Sequence, residues 1–112
     1  MRLFTKKDFG NGEVMWDHLD DLDPKLPLHK QEALIGCEDV LAVRYPNGFW
    51  LDVSFFQRSS PKACFVVAVV GPDEEWESAL KKECKTFEEL REVVIALVPT
   101  AEGEKRSRGK SS

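Results

Sequence analysis

The sequence predicts an α+β fold: an antiparallel β-meander sheet of four to six strands, with a C-terminal helix packed on one face and a shorter helix before the meander. Three observations predict it. Residues 39–71 hold most of the apolar mass, in three runs rich in β-branched and aromatic residues, the composition that suits a pleated surface. Turn-forming residues separate the runs: Pro46-Asn47-Gly48 after the first and Ser59-Ser60-Pro61 after the second. Further on, Thr86-Phe87-Glu88-Glu89 has the form of a capping box and opens an apolar stripe at helical spacing.

Taken in order, residues 2–9 and 13–16 flank Gly10-Asn11-Gly12. That reads as a hairpin, because these residues accept a positive φ at small cost. Trp16, Leu19 and Leu22 recur every three residues, as in a short helical turn or a loop with apolar anchors. Asp23-Pro24 starts the shorter helix, with Asp as N-cap and Pro at the first helical position. Gly36 ends that helix.

The meander's first turn has two readings. Asn47-Gly48 as a two-residue loop pairs Val43 with Asp52, mixing apolar and charged residues on one face. Pro46-Asn47-Gly48 as a three-residue loop pairs Tyr45 with Phe49, Val43 with Leu51 and Leu41 with Val53. The hydrophobic match selects the second, because a slip of one residue moves every side chain to the other face. Leu41, Val43, Tyr45, Phe49, Leu51, Val53 and Phe55 then share the core face. Val40, Ala42 and Arg44 lie opposite Ser54, Asp52 and Trp50 on the other.

Residues 63–70 form a continuous apolar run, which predicts a strand covered on both faces. Residues 73–85 fit a helix or a strand. Lys85 alone would separate two helices, so a turn at 72–75 and an edge strand over 76–83 is preferred, with lysines that discourage edge-to-edge pairing. The closing helix buries Phe87, Leu90, Val93, Val94 and Leu97 and stops at Pro99.

The chain of 112 residues, 42% of them hydrophobic, has room for one domain over residues 1–100. Residues 101–112 lack any large apolar side chain and are expected to be a disordered basic tail. Without them the body carries 12 basic against 18 acidic side chains, a net −6. That balance argues against nucleic acid as the partner and suits a basic protein. Cys37, Cys64 and Cys84 are odd in number and far apart, which reads as reduced thiols, with Cys64 plain core. No apolar run reaches 18 residues and no signal-peptide pattern opens the chain, so a cytoplasmic protein with no membrane partner is expected.

The groups that carry chemistry are few. Asp17, Asp20, Asp21 and Asp23 lack the Asp-x-Asp-x-Asp-Gly spacing of a calcium loop and read as a solvated, capping loop or an acidic patch that binds protein. Asp73, Glu74, Glu75 and Glu77 surround Trp76, which is either an interface anchor or core. Trp50 and Asp52 share the outer face of the meander, where Asp52 could join Arg44 in a polar patch or ion pair, and where a stack of Arg44 on Trp50 is the preferred expectation. No nucleophile motif, no Cys-x-x-Cys and no Gly-rich phosphate loop is present, so no catalytic residue, metal or cofactor is expected.

The strand pair over residues 45–56 with its Trp50-Leu51-Asp52, the apolar strand over 63–70 and the Thr86-Phe87-Glu88-Glu89-Leu90 helix start together cover about half the chain. In style and size this pattern resembles small bacterial immunity proteins of contact-dependent growth inhibition and polymorphic toxin systems. The resemblance implies a non-enzymatic, protein-binding inhibitor that occludes a basic toxin or nuclease domain with an acidic surface. It carries over no individual residue. The rival readings are a small ligand-binding domain or enzyme with a pocket between sheet and helix, and an adaptor subunit of a larger complex.

Overall fold

The structure is a computed structural model and describes residues 3–19, 22–23, 25–31, 39–56 and 62–103. Among these residues five strands form one antiparallel sheet in sequence order: β1 (Glu13–Asp17), β2 (Asp39–Arg44), β3 (Trp50–Phe56), β4 (Cys64–Val70) and β5 (Leu80–Cys84). One helix, α1 (Phe87–Glu102), packs on one face. The α+β meander read from the sequence is therefore the observed fold.

Turn chemistry sets the sheet's register. Tyr45 N–H donates to the Phe49 carbonyl at 2.9 Å, and Gly48 N–H donates to the Tyr45 carbonyl at 3.0 Å. Gly48 takes φ 91°, which only glycine adopts without strain. Val43 then faces Leu51, and Leu41 faces Val53, as the three-residue loop requires. A bulge between Asp39 and Leu41 alters the strand's far end. Ser54 lies opposite Asp39, where Val40 was expected.

Leu41, Val43, Tyr45, Leu51, Val53 and Phe55 join Phe65, Val67 and Val69 of β4 in the core beneath α1. The helix contributes Leu90, Val94, Leu97, Val98 and Ala101, with Phe87 and Val93 half-buried at the margin. Thr86 Oγ1 accepts the Glu89 N–H at 3.0 Å. Glu89 reaches back to the Lys85 N–H at 2.8 Å, one residue before the cap.

Several expectations are corrected. Residues 6–9 form a 3-10 turn and not a hairpin strand. Thr5 N–H donates to Asp8 Oδ2 at 2.8 Å, and Phe4 and Phe9 turn inward together, ring centres 5.3 Å apart. The Arg91 guanidinium ties this turn to α1 through the Asp8 carboxylate at 3.1 Å. Pro99 does not stop the helix, which continues to Glu102 and ends on Gly103 at φ 92°. The carbonyl that Pro99 deprives of a donor belongs to Ile95 on the exposed side, and burial of Val98 and Ala101 favours the extra turn. Ala101 and Glu102 therefore belong to the helix, and 104–112 of the expected tail lie outside the described residues.

In the shorter helix expected from Asp23-Pro24, the described part holds a 3-10 turn at Leu28–Lys30; residues 32–38 lie outside the described ones. Gln31 braces this segment, accepting the Asp23 N–H at 2.9 Å and donating to the Leu26 carbonyl. The edge strand expected over 76–83 is present as β5, preceded by a 3-10 turn at Trp76–Ser78. Finally, β4 is interior to the sheet, but α1 covers only one of its faces. Val66 and Val70 remain half-exposed on the other.

Candidate functional site

The face of the sheet opposite α1 is the candidate site. Strand alternation assigns its residues. One row crosses all five strands: Trp16 beside Ala42, Ala42 beside Asp52, Asp52 beside Ala68, and Ala68 beside Lys81. Toward the Pro46–Gly48 turn the next row holds Glu13, Arg44, Trp50 and Val70. On the other side lie Asp39, Ser54, Val66 and Glu83.

The chain has three tryptophans, and all three meet here. Trp16 arrives on β1, Trp50 on β3, and Trp76 on the 3-10 turn before β5. With Asp39, Ala42, Asp52 and Val70 they line a hollow of about 200 Å³. An adjoining hollow of about 390 Å³ shares Asp39, Asp52 and Trp76 and adds Ser54, Phe56 and Glu77. The two make one groove along β3. The floor is low where Ala42 stands, and the walls are tall aromatic rings. Trp16 and Phe56 are 40% and 39% exposed, which is high for rings of this size in a folded chain.

The electrostatics are uneven. Burial, and then the neighbouring Asp39 carboxylate, push Asp52 up to about 6, against a hydrogen bond from the Val53 backbone. Among the described residues no cation is paired with Asp52. Arg44, expected to stack on Trp50, turns instead to Glu13 on β1 at 3.1 Å. Ser54 Oγ donates to Asp39 Oδ1 at 3.3 Å. The Lys81 ammonium sits 4.2 Å from the centre of the Trp76 ring and donates to the Glu77 carbonyl at 3.0 Å. Glu13, Asp39, Asp52, Glu77 and Glu83 thus oppose Arg44 and Lys81 on this side, and it is acidic.

Of the residues singled out in the sequence, the structure brings together Trp50, Asp52, Trp76 and Glu77. Asp73, Glu74 and Glu75 are exposed on the turn that leads to Trp76, with Glu74 accepting the Gly71 N–H at 3.0 Å. Asp17 and Asp23 serve local turns: Asp17 accepts the Leu19 N–H and Asp23 the Lys25 N–H. Asp20 and Asp21 lie outside the described residues. Sequence reasoning missed Trp16, Asp39 and Phe56 as members of the site.

Elsewhere the chemistry is sparse. Cys64 and Cys84 are buried. Burial, with Glu89 nearby, raises the Cys84 thiol to about 11, and burial raises Cys64 as well. Such thiols are poor nucleophiles. No group of three metal-binding side chains converges among the described residues. Core side chains pack between α1 and the sheet, and a hollow of about 410 Å³ opens beside the start of α1, where Leu26, Leu28, His29, Ala63, Lys85 and Phe87 line it. No helix among the described residues is long and apolar enough to cross a membrane. Comparison with protein-family models, with curated proteins and with solved structures returned no match to this chain.

Proposed function

We propose that the protein is a binding module that docks a basic protein partner on the open face of its sheet. In the form suggested by the resemblance to immunity proteins, the partner is a toxin or nuclease domain and the module inhibits it by occlusion. The observation that carries the reading is the convergence of Trp16, Trp50 and Trp76 on one acidic groove in a face that α1 leaves uncovered. Tryptophan is the side chain most enriched among residues that dominate binding energy. An apolar face rimmed by charge marks an interaction surface, and its acidic balance selects a basic partner and speeds encounter.

The test is affinity capture with the tagged chain, repeated with Trp50→Ala and Trp76→Ala. The expected result is a basic protein retained by the parent chain and lost by both variants, whose own activity falls when the chain is added. Capture that is indifferent to both substitutions contradicts the reading.

A further inference from the structure

Resting on that reading of the face, we infer that the hollow between Trp16, Trp50 and Trp76 is a subsite for one guanidinium: a partner's arginine lies among the indole rings and pairs with Asp52. Three observations lead there. Asp52 is a half-buried carboxylate with no cation paired to it among the described residues. A charge in such a place is costly until it is paired. The walls around it are indole rings, whose faces attract cations and most of all planar, weakly hydrated ones. The groove already shows this attraction, since the chain's own Lys81 ammonium lies over Trp76. Lys81 is tied to the Glu77 carbonyl and leaves Asp52 to another cation.

Guanidinium fits better than ammonium for a geometric reason. It can lie flat on a ring while its edge donates two hydrogen bonds to one carboxylate, whereas an ammonium is a point charge that keeps its water. The groups facing the subsite are Asp39 from β2, Glu77 from the turn before β5, Lys81 and Glu83 from β5, and the Glu13–Arg44 pair at the β1 side. Asp39 and Asp52 are the carboxylates that line the hollow itself. Their mutual repulsion, which with burial holds the Asp52 carboxyl above the usual range, is relieved when a cation enters. Affinity therefore rises as pH rises through 6.

The experiment uses the full chain and its three indole N–H resonances in a proton–nitrogen correlation spectrum. Acetyl-Gly-Arg-Gly-amide is titrated in at pH 7.5. The expected result is saturable shifts at all three indoles. The citrulline peptide, equal in shape and uncharged, binds about tenfold more weakly, and so does the arginine peptide to Asp52→Asn. The lysine peptide binds more weakly than the arginine peptide, and arginine affinity drops at pH 5 in the parent chain only. Citrulline binding as well as arginine overturns the inference without recourse to any variant. Equal binding to Asp52→Asn, tighter binding of lysine, or shifts confined to other residues overturn it too. Indole shifts that follow protein concentration assign the hollow to a second copy. Indole shifts on removal of residues 104–112, with tighter peptide binding afterwards, assign it to the chain's own basic end. Either result also overturns a partner's arginine as the occupant. If the subsite fails while capture still depends on Trp50 and Trp76, the docking face stands and only its occupant is wrong.

Discussion

At Asp52 a single carboxyl links the stability of the chain to its open face. Folding raises its carboxyl from 3.8 to about 6. Between those values the folded chain holds a proton that the unfolded chain has lost. This group's contribution to stability is therefore complete below about pH 4 and falls away as pH rises to 6. A shift of that size corresponds to at most ~3 kcal/mol. The groove is open to solvent, which screens part of it, so Asp52→Asn is expected to stabilise the chain by about 1 kcal/mol at pH 7. The gain vanishes near pH 4. Urea unfolding of both proteins at the two pH values checks this; a gap of equal size at both would contradict it. A residue that costs stability where it stands is a mark of function more than of architecture.

Among the elements, the Pro46–Gly48 turn does more than reverse the chain. Asn47 Oδ1 accepts the Phe49 N–H at 3.0 Å, and Asn47 Nδ2 donates to the Ala101 carbonyl at 2.9 Å. One side chain thus shapes the hairpin and holds the last turn of α1 against it. Asn47→Ala is expected to cost about 1 kcal/mol and to loosen the C-terminal turn of α1 first. Amide hydrogen exchange in the last turn of α1 reports it, and protection unchanged from the parent would refute the coupling. The register of β2 against β3 was legible because the turn residues and the apolar alternation admit one common solution. The bulges were not. The bulge between Asp39 and Leu41 inverts the alternation, so Asp39 reaches the open face opposite Ser54. A second bulge between Val14 and Trp16 sets Trp16 beside Ala42. No local pattern announces either, because the extra residue is accommodated by the partner strand, which lies far off in sequence.

For the whole molecule, the two faces of the sheet diverge. One is sealed by α1 with aliphatic and phenyl side chains. The other carries indole rings and carboxylates with no helix over them among the described residues. The continuous apolar run of β4 told that both faces wanted cover, and within the described residues only one receives it. The sequence's acidic clusters were legible as surface, yet their grouping around one groove depends on pairings between β1, β3 and β5 that only the folded sheet creates. By contrast the outer side of α1 alternates Glu88, Arg91, Glu92 and Ile95, the mixed surface of a solvated helix. The two sides of the molecule are therefore expected to be unequal in binding.

Calorimetric titration of the captured partner against Asp52→Arg, with Glu92→Arg on the outer side of α1 as the control for net charge, measures that inequality directly. The prediction is a loss of affinity of about a hundredfold for Asp52→Arg and little change for Glu92→Arg. Equal losses from the two substitutions, or none from Asp52→Arg, would contradict the claim that the open face of the sheet is where the partner binds.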